Sequence, residues 1–87
     1  MKIESDQKKS ASNFRKHGIT FEEGASVLLD PMALVREDDD SEGEQRLVAL
    51  GMSGFGRLLV VVYTMRDDTI RLISARRATK TERKYYG

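Results

Sequence analysis

The 87-residue sequence has no cysteine, no tryptophan, one proline and one histidine. Without cysteine, the chain can form neither a disulfide nor a thiolate metal site. No apolar run approaches the roughly 20 residues that a membrane-spanning helix needs, and the first residues lack the apolar core of a signal peptide. These absences predict a soluble intracellular protein, and the length predicts one small domain over residues 1–87.

Charge is unevenly distributed, although the net charge is only +1. Six acidic residues lie between Glu37 and Glu44, whereas six basic residues and one acid lie between Arg71 and the end. This pattern predicts two surfaces of opposite field, of which the basic one suits nucleic acid. The acidic run lacks the spacing of a calcium loop. We expect a solvated loop there, with a docking place for a basic partner as the alternative.

The first third of the chain is typical of a helical hairpin. Asp6 has the short acidic side chain of an N-cap, a helix is predicted over residues 7–17, and Gly18 ends it. Thr20 and Glu23 have the spacing of a capping box at the start of a second helix. The only proline then ends that helix, because the residue before a proline avoids the helical region.

The hydrophobic period then changes from 3.6 toward 2, which predicts strands. Four segments have this character: 32–36, 45–52, 57–65 and 69–76. Thr79 and Glu82 form a second capping-box pattern, which predicts a C-terminal helix. The fold class is therefore α+β in two layers, with a four-stranded antiparallel sheet and the helices on one face. A small edge strand at Ile3 is left open.

Several ordered segments resemble the BrnT toxins, the toxin half of a type II toxin–antitoxin pair. The matching segments are Asp6-x-x-Lys9-x-x-x-Asn13-x-x-Lys16-His17-Gly18-Ile19-x-Phe21, Phe21-Glu22-Glu23-x-Ala25, Asp30-Pro31, Glu42-Gly43-Glu44-x-Arg46, 56–64 and 70–86. Ser5 departs from the pattern, because the family usually has an aromatic residue before the first aspartate. The resemblance covers nearly the whole chain.

The resemblance implies a fold like that of the RelE group of ribonucleases and endoribonucleolytic cleavage of RNA without a metal or cofactor. It also implies a BrnA-type antitoxin with a ribbon–helix–helix part, promoter binding through that antitoxin, a higher-order complex and a cytoplasmic location. The alternatives are a non-enzymatic module that binds nucleic acid or protein, and a degenerate toxin that acts as a co-repressor.

Metal-free RNA cleavage needs a base, an acid and positive charge on the phosphorane. The candidate catalytic residues are Arg76, Arg77, Arg83 and His17, and the candidate RNA-binding residues are Lys16, Arg57, Arg71, Lys80 and Tyr86. The period of two along a strand predicts that Arg71 and Arg76 point to opposite faces, so that they cannot share a site.

Each candidate has a structural alternative. The arginines are either site residues or surface residues in salt bridges. His17 either caps its helix and packs between the two helices, or transfers protons, or contacts RNA. Glu82 is either the reciprocal member of its capping box, which we favour, or a general base. Tyr63 lies in an apolar strand and is expected to pack in the core.

Overall fold

The computed structural model describes residues 2–38 and 45–86, so most of the predicted acidic loop lies outside the described residues. The elements are β1 (Lys2–Glu4), α1 (Gln7–His17), α2 (Phe21–Ser26), β2 (Leu34–Glu37), β3 (Arg46–Met52), β4 (Leu58–Arg66), β5 (Thr69–Arg77) and α3 (Lys80–Arg83), with a 3₁₀ turn at Val27–Leu29. No helix among these residues is long and apolar enough to cross a membrane.

The sheet has five strands in the order β1-β5-β4-β3-β2, and it is mixed. Strand β1 pairs in parallel with β5, Ile3 opposite Ile70, while the other pairings are antiparallel. The prediction of four antiparallel strands was therefore wrong in number and direction. A three-residue strand is too short to show a period of two, and its partner lies more than sixty positions away in sequence.

The two faces of the sheet are covered differently. The face that we call the hairpin face packs against α1 and α2, and its core includes Leu59, Val61, Leu72 and Ala75. The opposite face, here called the open face, carries Val48, Leu50, Val60 and Val62, as the strand register requires. Helix α3 borders this open face, where Glu82 and Tyr85 line a groove with Val60. The prediction that all helices lie on one face was therefore wrong.

A β-bulge in β5 changes which side chains share a face. Val62 is opposite Ser74 but Tyr63 is opposite Leu72, so Ile73 is an extra residue on β5. The bulge reverses the alternation, and Arg71 (opposite Thr64) and Arg76 (opposite Val60) both belong to the open face. The prediction that these two arginines face opposite ways was wrong, because it assumed an uninterrupted period of two.

The helix boundaries follow the local signals. The Asp6 carboxylate accepts from the backbone N–H of Lys8 at 2.8 Å, and Gly18 adopts the left-handed conformation at φ 72°. Thr20 caps α2 by accepting from the N–H of Glu23 at 3.1 Å. The predicted box at Thr20 is only half formed, because the Glu23 side chain points elsewhere.

Buried Asn13 joins α1 to the part of β5 that has no neighbouring strand on that side. Its amide nitrogen donates to the carbonyls of Ile19 and Ala75, both at 2.8 Å, and its amide oxygen accepts from the N–H of Ala75 at 3.1 Å. Strand β1 pairs with β5 only as far as Arg71. Asn13 thus gives Ala75 the two hydrogen bonds that a neighbouring strand would otherwise give.

Replacing Asn13 with alanine should therefore destabilise the fold. The change leaves buried backbone groups of Ile19 and Ala75 without partners, and each costs about 1–3 kcal/mol. We expect the free energy of unfolding to fall by about 3 kcal/mol or more in urea denaturation. Ser12→Ala, at the exposed neighbouring position, is the control and should change it little. Alanine raises helix propensity at both positions, so a loss in Asn13→Ala no larger than that in Ser12→Ala would show that the contacts to Ile19 and Ala75 do not stabilise the fold.

Candidate functional site

Functional candidates gather where β4 begins and β5 ends. The N–H of Ala78 donates to the carbonyl of Leu58 at 3.0 Å, which extends the pairing of the two strands by one step. Arg77 is opposite Leu59 and so belongs to the hairpin face, whereas Arg76 belongs to the open face. The structure therefore divides these two predicted catalytic arginines between the two sides of the same sheet end.

On the hairpin face, Arg57 is held by a buried carboxylate. Glu23 is 4% exposed, and both of its oxygens accept from the Arg57 guanidinium, one of them from Nε at 2.8 Å. The Ser53 hydroxyl donates to the same carboxylate at 2.8 Å. The hydrogen bonds from Arg57, followed by that from Ser53, hold the pKa of Glu23 below its usual value despite burial. Arg57 is thereby fixed in one orientation.

Arg77 is the exposed guanidinium next to this pair. Its charge also favours the ionised form of Glu23 and so lowers the pKa of that group. Within residues 2–38 and 45–86, no carboxylate forms an ion pair with Arg77. Arg57 and Arg77 together carry two positive charges against one buried carboxylate, which leaves an excess positive charge at the surface.

His17 ends α1 at the same end of the sheet. The start of α1 lines a cavity with Arg71 and Leu72 of β5. Asn13, later in α1, contacts Ala75, which is later in β5. Helix α1 therefore runs in the same direction as β5. Half-buried His17 lies one turn beyond Asn13, about 6 Å further along the helix. Arg77 is about the same distance beyond Ala75 along the strand. His17 therefore lies toward the end of the sheet at which β5 ends.

On the open face, Arg76 is bound to Glu82. Two parallel hydrogen bonds of 2.8 Å join its guanidinium to both carboxylate oxygens. Glu82 also accepts from the N–H of Thr79 at 2.8 Å, and the Thr79 hydroxyl accepts from the N–H of Glu82, so the predicted capping box is confirmed. The Arg76 hydrogen bonds, more than any other contact, lower the pKa of Glu82 to about 2. So acidic a group is a weak base near pH 7.

This ion pair should make α3 sensitive to acid. The pKa of Glu82 is lower in the folded chain than its usual value of 4.5, so its stabilising effect is complete above pH 4.5 and is lost as pH falls toward about 2. We expect the difference in melting temperature between the native chain and Glu82→Gln to shrink over this range. Glu22→Gln removes an exposed carboxylate of α2 and is the control. A difference independent of pH would show that the pair does not stabilise α3.

The remaining basic candidates lie beside the two arginine–glutamate pairs described above or away from them. Lys16 is exposed near the end of α1, and Lys80 and Arg83 are exposed on α3. Arg71 is about 15 Å from Arg76 along β5, and its guanidinium donates to Glu4 at 3.3 Å in an exposed pair. Such a pair contributes little to stability.

Tyr63 and Tyr86 take structural positions. Tyr63 is 5% exposed in the core, as predicted, and burial raises the pKa of its hydroxyl. The Tyr86 hydroxyl donates to Asp30 at 2.5 Å, and that bond raises the pKa of Tyr86. Asp30 also accepts from the N–H groups of Met52 and Met32. The hydrogen bond between Tyr86 and Asp30 therefore joins the segment that follows α3 to the loop between the helical hairpin and β2.

Glu23 and Ser53 are the site residues that sequence reasoning missed. The capping-box pattern did identify Glu23, but it assigned the side chain a local bond to its own helix. Its real partner lies 34 positions away, and no local pattern reports such a contact. Ser53 lies in the turn before β4, where its hydroxyl also accepts from the backbone N–H groups of Phe55 and Arg57.

Comparisons with known proteins identify a family for the chain. No curated protein sequence matches the chain. The crystal structure of the Brucella abortus ribonuclease toxin BrnT is similar, with a TM-score of 0.70 and 26% sequence identity over 92% of this chain and 99% of that one. The family model described as the ribonuclease toxin BrnT of type II toxin–antitoxin systems matches residues 6–82. The chain therefore belongs to the BrnT family of ribonuclease toxins of type II toxin–antitoxin systems.

Proposed function

We propose that this chain is a metal-independent endoribonuclease whose phosphate-binding group is the arginine pair Arg77 and Arg57. The observation that carries the proposal is the fixed guanidinium of Arg57, bonded to buried Glu23 and lying beside exposed Arg77. A preorganised cation stabilises developing charge without having to reorient during the reaction. Arg77 suits phosphate because its charge is permanent and its planar fork matches phosphate oxygens, whereas Arg57, whose fork is bonded to Glu23, adds a fixed charge beside it.

In this mechanism the RNA 2′-oxygen attacks the adjacent phosphorus while the bond to the 5′-oxygen breaks. The proton of the 2′-hydroxyl goes to a base, and an acid gives a proton to the leaving 5′-oxygen. The products are a 2′,3′-cyclic phosphate and a 5′-hydroxyl. His17 ends α1 toward the same end of the sheet and is the proton-transfer group that we assign to this site, because an imidazole can both accept and donate a proton.

Arg76 and Arg83 support the same sheet end from the α3 side. Arg76 is bonded to Glu82, so its main effect is to hold α3 in place. The exposed side chains of Lys80 and Arg83 on that helix then extend the positive surface along which RNA can lie. Arg71, Lys16 and Tyr86 remain candidates for contacts with more distant nucleotides.

Membership in a type II toxin family supports an antitoxin as the partner. We propose a BrnA-type antitoxin with a ribbon–helix–helix part, which also carries the pair to promoter DNA, and a higher-order complex of the two chains. The toxin acts on RNA in the cytoplasm. We also propose that the fold is related to that of the RelE group of ribonucleases.

Incubation of the purified chain with a single-stranded RNA in EDTA tests the enzymatic proposal. We expect cleavage to persist in EDTA, because arginine supplies the charge that a metal would otherwise supply. We also expect the fragments to carry 2′,3′-cyclic phosphate and 5′-hydroxyl ends, read by mass spectrometry. Cleavage that stops in EDTA and returns with magnesium would refute metal independence. RNA binding without any cleavage would instead favour a co-repressor or a binding module.

A further inference from the structure

A groove on the open face has an aliphatic floor. It has a volume of about 400 Å³, and its floor is formed by Leu34, Val48, Leu50 and Val60 from three neighbouring strands. Glu82 and Tyr85 form one wall. Leu34 is 47% exposed, whereas Val60 is 5% exposed. An exposed patch of this kind, bounded by charged residues, is typical of an interaction site.

Two exposed arginines lie at the far end of the groove, next to Asp38, whose N–H donates to the carbonyl of Arg46. Arg36 lines it directly, and Arg36 is opposite Val48 on the neighbouring strand. Arg46 is two residues from Val48 along β3, so the register places it on the same face, diagonal to Arg36 at roughly 7–8 Å. Both side chains are exposed, and within residues 2–38 and 45–86 neither forms an ion pair.

This chemistry suits a peptide better than RNA. Phosphates and sugars gain nothing from a floor of valine and leucine, and the lining offers unpaired bases a single aromatic side chain, Tyr85, which shares its wall with the carboxylate of Glu82. The floor is aliphatic, and Arg76, the arginine nearest the α3 wall, already binds Glu82. An amphipathic segment with apolar residues on one side could fill the floor, while its carboxylates bound Arg36 and Arg46.

We propose that the groove on the open face is where an acidic, amphipathic segment of the antitoxin docks. The inference rests on the proposed toxin function for its biological role, but the groove and its charge do not depend on it. Charge complementarity selects an acidic segment, and the aliphatic floor selects an amphipathic one.

The position of the groove also indicates how the antitoxin could silence the toxin. Glu82 lines the groove and at the same time binds Arg76, and Tyr85 lies in the turn that follows α3. An occupant that contacts these two side chains acts on α3 and on the basic surface that α3 presents. Inhibition would then come from the open face, without a contact to Arg77 on the hairpin face.

A designed peptide of about 14 residues, with leucine at helical spacing and glutamate elsewhere, provides the probe. Fluorescence anisotropy should show that the native chain binds it at least tenfold more tightly than the counterpart in which lysine replaces glutamate. Arg36→Glu and Leu34→Glu should each weaken binding of the acidic peptide by about tenfold or more. Arg15→Glu, a charge reversal at an exposed position of α1, is the matched control and should leave it unchanged.

RNA cleavage measured in the same samples separates this inference from the proposed function. Saturating acidic peptide should reduce cleavage by the native chain, whereas Arg36→Glu should cleave normally and resist the peptide. Equal binding of the acidic and basic peptides, or no effect of Arg36→Glu and Leu34→Glu, would overturn the docking proposal even if RNA is cleaved. Selective peptide binding by a chain that never cleaves RNA would leave the groove assigned and refute the enzyme. If Arg36→Glu weakened RNA binding instead, the open face would be an RNA surface and the proposal would be wrong.

Discussion

Replacing Arg77 with alanine should lower the rate constant of RNA cleavage by about 100- to 1,000-fold, which is the usual cost of removing one preorganised group that stabilises developing charge. Arg77 is the exposed guanidinium of the pair, and within the described residues no carboxylate forms an ion pair with it. Its removal should therefore cost little stability. Single-turnover kinetics with a labelled RNA, at saturating protein, would separate the chemical step from binding.

Two companion variants make the result specific to Arg77. Arg15→Ala removes an exposed arginine on the side of α1 away from β5, and it should cleave at the native rate. Arg77→Lys keeps the charge but loses the planar fork, so it should recover only part of the lost rate. An Arg77→Ala chain that cleaves normally would remove this residue from the site and direct attention to Arg76 and Arg83.

Features governed by neighbouring residues were predictable from the sequence. Asp6 and Gly18 define the ends of α1 through bonds and dihedral angles within one helical turn, and both act as predicted. The capping box at Thr79 and Glu82 is likewise complete within four residues. Strand boundaries also depend on nearby residues, and those of β3 and β5 each differ from the predicted ones by a single residue.

The errors arise where distant parts of the chain decide the outcome. The extra residue Ile73 is visible only in the pairing of β5 with β4, and it moves Arg71 and Arg76 onto one face. The bond between Glu23 and Arg57 depends on how α2 packs on the sheet, so the TxxE pattern at Thr20 could not reveal it. Sequence patterns thus located the basic end of the sheet, but which arginines share a face was settled by tertiary pairing.

Glu23 is more deeply buried than its partner Arg57. Removing one of these two side chains should therefore change the stability of the fold by a different amount from removing the other. The Glu23 side chain is 2% exposed, whereas that of Arg57 is 33% exposed. Arg57→Ala leaves the Glu23 carboxylate buried and unpaired except for Ser53, and such a charge costs about 3 kcal/mol or more. Glu23→Ala instead leaves an arginine that can reach water. We therefore expect Arg57→Ala to lower the free energy of unfolding more than Glu23→Ala does, as measured by urea denaturation at pH 7.

The pH dependence tests the same cause independently. In the native chain the pKa of Glu23 is lowered, so its pair stabilises the fold above the usual carboxyl pKa and the effect is lost as pH falls. In Arg57→Ala, burial without the guanidinium should raise that pKa, so this variant should lose stability as pH rises. The stability difference between the two chains should therefore shrink steadily as pH falls from 7 toward 4. The double variant Arg57→Ala/Glu23→Ala should be more stable at pH 7 than Arg57→Ala alone, because the uncompensated carboxylate is gone. A double variant less stable than Arg57→Ala would contradict this expectation. It would mean that the packing of the Glu23 side chain stabilises the fold by more than its unpaired charge destabilises it.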